Sequence, residues 1–138
     1  MAKDPDGELK QTTFASLRMV MKAIKELLGP SCEVVLHDMS DPDSSIVAIE
    51  GDVTGRCAGG PLTDAGLGCP SCPDSGRVHK CTTVSEGGMV VRSASSLLSD
   101  DQGNIIGQLR INLDITPYVA FRQHLQTLQR SSDGGKHG

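Results

Sequence analysis

Four of the five cysteines lie in one stretch of the chain, residues 57–81, and two of them form a CxxC motif. Two thiolates at this spacing can share one metal ion, and a tetrahedral zinc needs two further ligands. Cys57 and Cys81 can supply them, with His79 as a substitute. Soft thiolates also accept an iron–sulfur cluster. The segment therefore predicts a zinc or iron–sulfur site, with the ligands Cys57, Cys69, Cys72 and Cys81.

Two other interpretations of these cysteines stay open. Their spacing matches no standard zinc ribbon, which carries two CxxC pairs. A redox-active or adventitious disulfide is the first alternative, and ordinary free thiols are the second. Cys32 stands apart, on the apolar side of a predicted strand, and is expected to be an inert core residue.

Polar residues elsewhere are candidates for binding a small ligand. His37 and Asp38 are adjacent on a predicted strand, so they point to opposite faces and make a poor catalytic dyad. A structural hydrogen bond at the strand end is the alternative. No nucleophile–base–orienter set can be recognised, so we expect no enzyme. The candidate ligand-binding residues are His37, Thr63, Asp64, Arg92, Ser95 and Asn112.

Composition and charge exclude several classes of function. The net charge is −4 and the pI is near 5.4, and the Lys and Arg residues are scattered. Aromatic residues make up only 2% of the chain. We therefore expect no direct nucleic-acid binding, which needs clustered cations or stacking faces. No apolar run is long enough for a membrane span and no signal peptide is visible, which predicts a cytoplasmic protein with reduced thiols.

Hydrophobic periodicity predicts the elements that must position these residues. A helix begins near Thr13 and ends before Gly29-Pro30, with an apolar stripe that packs either on its own core or in a dimer. Five strands follow, and the last alternates apolar and polar residues, which indicates an antiparallel sheet with one covered face. A helix beginning at Thr116-Pro117 completes an α+β domain. The stripe is Phe14, Leu17, Met21, Ile24 and Leu28, and the predicted strands are 32–38, 46–50, 78–84, 89–98 and 104–116.

The length of 138 residues fits one domain. We expect a flexible N-terminal arm over residues 1–10, a single domain over 11–130 and a flexible tail over 131–138, because neither end carries an apolar anchor.

Several blocks of residues together resemble one known family. Residues 28–38 (LGPSCEVVLHD), 45–50 (SIVAIE), 53–56 (VTGR), 61–64 (PLTD) with Gly66-Leu67, and 107–116 (GQLRINLDIT) are similar to YheO-like PAS domains, in the family's order. The resemblance spans about residues 10–125. It implies a PAS-like fold: about five antiparallel strands, helices on one face, and N- and C-terminal flanking helices. The four clustered cysteines depart from the family's pattern.

The resemblance also implies a function. YheO-like PAS domains are ligand- or signal-sensing modules of bacterial transcriptional regulators, and the helix-turn-helix that usually follows is not expected in this chain. We expect an unknown small-molecule ligand and a homodimer formed through the N-terminal helix, without membrane contact. The alternative hypothesis is a metal-binding or thiol-redox sensor that uses a PAS-like scaffold to carry its four-cysteine loop.

Overall fold

The computed structural model of this protein describes residues 5–55, 59–60 and 78–137. They form a long helix, five strands and a second long helix, with short 3₁₀ turns at Gly29–Ser31 and Pro42–Ser44. In chain order the elements are α1 (Pro5–Leu28), β1 (Cys32–Asp38), β2 (Ile46–Glu50), β3 (Val78–Val84), β4 (Val90–Ser99), β5 (Ile105–Asp114) and α2 (Thr116–His137).

The five strands form one antiparallel sheet in the order β2-β1-β5-β4-β3. Strand β5 lies at the centre and pairs with β1 on one side and β4 on the other. These pairings confirm the α+β prediction, including the central position of residues 104–116 and their antiparallel pairing with residues 89–98. The tight turn before β5 is held by Asp100, whose Oδ1 accepts hydrogen bonds from the amides of Gln102 and Asn104 at 2.9 and 2.8 Å.

Helix α1 begins earlier than the sequence pattern predicted. It starts at Pro5, a residue whose fixed φ suits the first helical position, so residues 5–10 are helical where a flexible arm was expected. Lys10 holds this part of the helix to the sheet, because its Nζ lies 2.8 Å from Asp38 Oδ2 at the end of β1. An ion pair holds these residues, and hydrophobic periodicity does not predict it.

The apolar stripe of α1 packs on the face of the sheet that we call the outer face. Phe14 and Met21 are buried against Cys32, Val34 and Leu36 of β1. Burial raises the pKa of the Cys32 thiol, which keeps it protonated and agrees with an inert core residue. The predicted stripe therefore serves mainly as the core of its own domain, and its partly buried members are Leu17 and Ile24.

Helix α2 follows β5, and the last side chain of β5 caps its first turn. Asp114 Oδ1 accepts hydrogen bonds from the amide and the hydroxyl of Thr116, at 3.0 and 2.5 Å. The helix continues to His137 and so includes most of the segment predicted as a flexible tail. Its apolar residues Tyr118 and Phe121 are exposed. Within the described ranges, neither helix combines the length and the apolar character needed to cross a membrane.

Candidate functional site

The face of the sheet opposite α1 is lined by buried polar side chains, and we call it the polar face. Residues alternate along each strand, so this face takes every second side chain of β1, β4 and β5. The register places Asn112 of β5 between Glu33 of β1 and Ser93 of β4. All members are at most 6% exposed: Glu33, His37, Ser93, Ser95, Gln108, Arg110 and Asn112.

Glu33 is the anchor of the polar face. Its Oε2 accepts hydrogen bonds from the amides of Val53 and Thr54, both at 2.8 Å. Its Oε1 accepts from the Thr54 hydroxyl at 2.8 Å and from Asn112 Nδ2 at 2.9 Å. Burial on its own would raise the pKa of this carboxyl, but these donors outweigh it and the pKa lies below its ordinary value. Glu33 is therefore ionised, and the surrounding N–H and O–H donors stabilise its negative charge.

Gly51 allows the loop after β2 to reach Glu33. It has a φ of +93°, and a Cβ at this position would overlap the carbonyl oxygen of Cys32. Only glycine combines that backbone conformation with such a close approach. The chain therefore turns against β1 and presents the amides of Val53 and Thr54 to the carboxylate.

The hydrogen bonds continue from Glu33 to Arg110 through one amide. Asn112 donates to Glu33, and its Oδ1 accepts from Ser93 Oγ at 2.7 Å and from Arg110 Nε at 3.0 Å. This arrangement orients the amide and the guanidinium together. Arg110 Nη2 also lies 3.8 Å from the sulfur of Cys81 on β3. Arg110, which is 6% exposed, is thus a fixed positive charge on a buried surface.

The other end of the polar face is built around His37 and Gln108, which are cross-strand partners. His37 Nδ1 lies 2.8 Å from Ser45 Oγ, so its ring orientation is set by a hydrogen bond. Gln108 is 2% exposed, and its Oε1 has no hydrogen-bond partner among the described residues. An unsatisfied buried acceptor costs about 1–3 kcal/mol, so this oxygen marks a position where a donor is expected.

Three of the six predicted ligand-binding residues meet on this face: His37, Ser95 and Asn112. Arg92 lies on the opposite, outer face because strand positions alternate, and its Nη1 is 3.4 Å from Thr82 Oγ1. Thr63 and Asp64 lie outside the described residues, so their ligand role stays a prediction.

The predicted metal or redox site falls mostly outside the described residues, where Cys57, Cys69 and Cys72 lie. Cys81 and His79 are both on β3, two positions apart and therefore on the same face. Cys81 is a partly buried free cysteine. Within the described part of the chain, no group of three or more His, Cys, Asp or Glu side chains could hold a metal ion. The four-cysteine site stays a prediction.

Sequence reasoning did not select Glu33, Ser93, Gln108 and Arg110 as site residues. The alternation of β5 does place Gln108 on its polar side, together with Arg110 and Asn112, and that signal was available. Glu33 stands between Cys32 and Val34 in a strand whose first six residues are all buried. A carboxylate in such a strand is itself a signal, because acidic side chains are almost never buried unless they are paired.

Comparison with known proteins agrees with this architecture. The family model of the YheO-like PAS domain matches residues 8–130. YheO of Escherichia coli (strain K12) is 33% identical over 125 residues, which cover 85% of this chain and 51% of the relative. An uncharacterized protein of Haemophilus influenzae is 28% identical over 134 residues, covering 95% of this chain and 61% of the relative. The chain thus spans about half to three fifths of the length of these relatives.

A solved structure shows the same fold. A chain in the crystal structure of the E. coli DhaR(N)-DhaL complex superposes with a TM-score of 0.50 at 14% identity, covering 99% of this chain and 56% of that one. With the family match over residues 8–130, the five-stranded antiparallel sheet and its flanking helices are those of a PAS domain. The chain belongs to the YheO-like PAS domain family.

Proposed function

We propose that this chain is the signal-sensing module of a bacterial transcriptional regulator, and that its signal is a small polar ligand bound on the polar face. The family supports a signal-sensing role. The observation that carries the proposal is one face of the sheet on which seven polar side chains are at most 6% exposed. DNA binding is assigned to parts of the regulator other than residues 1–138.

The cost of burying polar groups supports a ligand-binding role. A buried polar network stabilises a fold by less than an apolar core of the same shape, because each group must first be removed from water. Glu33 and Asn112 satisfy most of their hydrogen-bonding capacity within the protein. Their bonds hold the Arg110 guanidinium in a defined orientation. Such preorganisation is what a selective binding surface needs.

The side chains of the polar face also indicate the class of ligand. A guanidinium recognises a carboxylate through parallel hydrogen bonds, so Arg110 favours a ligand with an anionic group. Gln108 lies two positions from Arg110 on β5, and its Oε1 favours a ligand that donates from a hydroxyl or amino group. We therefore propose a small carboxylic acid that also carries a hydroxyl or amino group, such as a hydroxy acid or an amino acid.

A panel of small carboxylic acids tests this proposal by thermal shift and by calorimetry. At least one member should raise the melting temperature of the wild-type protein, and Arg110→Gln should abolish that effect. Arg92→Gln is the matched control, because Arg92 lies on the outer face. Ser95→Ala, a smaller change opposite Arg110, should weaken binding without preventing folding. Equal binding by wild type and Arg110→Gln would refute the assignment.

The role that we propose is sensory and not catalytic. The hydrogen bond between His37 and Ser45 joins a base to a hydroxyl, as in hydrolytic enzymes. Both residues are 0% exposed, and the hydrogen bond joins β1 to the residue that precedes β2. We assign this pair to holding β1 and the start of β2 together. The cytoplasm is the location that we propose for a regulator of transcription.

One observation favours the alternative function, a metal or thiol-redox sensor. The sulfur of Cys81 lies 3.8 Å from Arg110 Nη2, so chemistry at this cysteine would be transmitted to the polar face. If four thiolates bind zinc, freshly purified protein should contain about one zinc per chain. Cys69→Ser and Cys72→Ser should each remove it. Metal-free wild-type protein with four titratable thiols in that segment would exclude the metal-binding form of the alternative.

A further inference from the structure

The two edge strands of the sheet, β2 and β3, differ in how their edges are covered. On β2, Ile46 exchanges backbone hydrogen bonds with Gly59 and Gly60, at 2.7 and 3.0 Å. The carbonyl oxygen of Val47 accepts a hydrogen bond from Arg18 Nη2 at 3.5 Å. Within the described ranges, β3 pairs with β4 and no further strand lies beside it. An unpaired strand edge is a template for pairing with another chain.

The outward backbone groups of β3 belong to every second residue. In an antiparallel pair, residues that hydrogen-bond to each other alternate with residues whose N–H and C=O point away from the partner strand. Val84 lies opposite Val90, which directs its N–H to Thr116 Oγ1 and its C=O to the amide of Ile115, on the β5 side. The N–H and C=O of Val84 therefore point away from β4. By alternation, the outward groups, which we call the β3 edge, are those of Val78, Lys80, Thr82 and Val84.

Strand β3 has few of the features that protect a strand edge from pairing. Its register with β4 is regular over all 7 residues, without a bulge that would turn the edge away. The strand contains no proline, and Lys80 is its single lysine. Its first and last residues, Val78 and Val84, are 60% and 68% exposed. The β3 edge therefore combines a regular row of backbone groups with an exposed apolar side chain at each end.

We infer that the β3 edge pairs with the β3 edge of a second copy of this chain, in antiparallel orientation and with Cys81 on the twofold axis. The two sheets then become one continuous sheet. In this register Val78 faces Val84 of the second copy, and Lys80 faces Thr82 of the second copy. Every such pair joins two outward residues, so each pair exchanges two backbone hydrogen bonds.

The self-complementarity of β3 selects this register. Outward residues must face outward residues, so the twofold axis passes through a residue and not between two. An axis at Lys80 would set two lysines directly opposite each other, which is destabilising. An axis at Thr82 would set Val78 opposite Glu86, in the turn after the strand. The axis at Cys81 pairs the whole strand, brings the exposed valines together and keeps the two lysines apart.

Cys81 gives this register a chemical signature. By the same alternation its N–H and C=O point to β4, so the two Cys81 residues meet across the axis as a pair without backbone hydrogen bonds. The Cα atoms of such a pair lie about 4.5 Å apart. A disulfide spans Cα separations of about 4.4–6.8 Å. Cys81 is a free cysteine and is partly exposed, so the two thiols are positioned to form one disulfide.

The inferred pairing is separate from the homodimer expected through the N-terminal helix. Helix α1 packs on β1 and β2, at the side of the sheet away from β3. The two contacts use different surfaces, and the helix-mediated homodimer stays a prediction. The pairing of the β3 edge is also independent of the small ligand proposed above.

Oxidation of the complete 138-residue chain with diamide tests the register, because diamide takes up two hydrogens as two thiols form one disulfide. Wild type should give a covalent dimer whose linked peptide joins Cys81 to Cys81 in mass spectra. Thr83→Cys in a Cys81→Ser background is the matched control. Thr83 is exposed but faces His79 of the second copy, so this variant should give no self-linked peptide. Adding His79→Cys should restore a covalent dimer, linked between positions 79 and 83.

Concentration-dependent NMR shifts of the Lys80 amide measure the dissociation constant without a crosslink and report on the β3 edge alone. Thr82→Lys sets a lysine opposite Lys80 in both symmetric pairs, so it should raise the dissociation constant by about fivefold. Thr82→Glu sets an opposite charge there and should lower it by about threefold. Position 82 is exposed, and circular dichroism confirms that both variants are folded.

Four results would each overturn the inference. They are a Lys80 amide shift that does not depend on concentration, a wild type without the Cys81 linkage, self-linked Thr83→Cys chains, and equal weakening by Thr82→Lys and Thr82→Glu.

Discussion

The two faces of the sheet are buried by different means. On the outer face, Phe14 and Met21 of α1 exclude water from the apolar side chains of β1. On the polar face, seven polar side chains are buried, and a chain of hydrogen bonds runs from the loop after β2 through Glu33 and Asn112 to Arg110. Both faces belong to the same strands, with side chains alternating between them.

The two faces contribute differently to the stability of the domain and to its function. Apolar burial contributes directly to the free energy of unfolding, at about 25 cal/mol per Å² of surface. A satisfied buried hydrogen bond contributes only about 0.5–1.5 kcal/mol net, whereas an unsatisfied one is costly. The outer face therefore stabilises the domain, and the polar face preserves a particular arrangement of groups. The predictions below test this division.

The largest effect is expected on the outer face. Phe14→Ala removes a core aromatic ring that is 7% exposed, and it should lower the free energy of unfolding by about 3–5 kcal/mol. Phe121→Ala is the matched control, because this ring is 62% exposed on α2 and its loss should change stability by less than about 1 kcal/mol. Urea denaturation measures both. Equal effects would mean that α1 does not hold the sheet as described.

The corresponding change on the polar face is Glu33→Ala. It leaves two backbone amides, a hydroxyl and the Asn112 amide without their acceptor, so we expect a loss of about 3 kcal/mol. Glu50→Ala, at the end of β2, should cost less than about 1 kcal/mol in the same assay. The amide signals of Val53 and Thr54 should move in NMR spectra. An unchanged loop would show that Glu33 does not hold it.

A smaller effect is expected at Gly51, which lies directly after β2 and against the backbone of β1. Gly51→Ala introduces a Cβ that overlaps Cys32 at a φ of +93° and should cost about 2–3 kcal/mol. Gly103→Ala is the control, because its φ of +87° is similar but its surroundings are open, so only the backbone cost of about 1 kcal/mol remains. The difference between the two variants measures the close approach alone. Equal destabilisation by the two substitutions would contradict the close approach of Gly51 to β1.

The smallest effect is the pH dependence that Glu33 imposes. Its folded-state pKa lies below its ordinary value, so the unfolded chain binds the proton more readily. The stabilisation is therefore complete above the unfolded-state pKa of about 4.3 and is lost as the pH falls through the folded-state value. Urea midpoints between about pH 6 and pH 3 should fall for wild type and fall less for Glu33→Gln. If the midpoints of wild type and Glu33→Gln fall in parallel, the acid dependence arises from other groups.

The sequence pattern predicted the strands better than it predicted the site. Period-two alternation in β5 is a local property, and it correctly placed Gln108, Arg110 and Asn112 on one face. The start of α1 was predicted eight residues late, because the first turns are anchored by the charge pair of Lys10 and Asp38. Such a contact joins residues from two elements and leaves no periodic trace.

The sequence by itself determined the family, the number and order of the strands, and which side of β5 is polar, since each depends on residue type and spacing along the chain. Only the tertiary structure decided which polar groups meet. Glu33 and Asn112 are 79 residues apart and become partners through the pairing of β1 with β5. Arg92 and Arg110 are both strand arginines, yet the alternation and register place Arg92 on the outer face and Arg110 on the polar face. Burial and hydrogen-bond partners depend on contacts between distant segments, so they appear only when the sheet has formed.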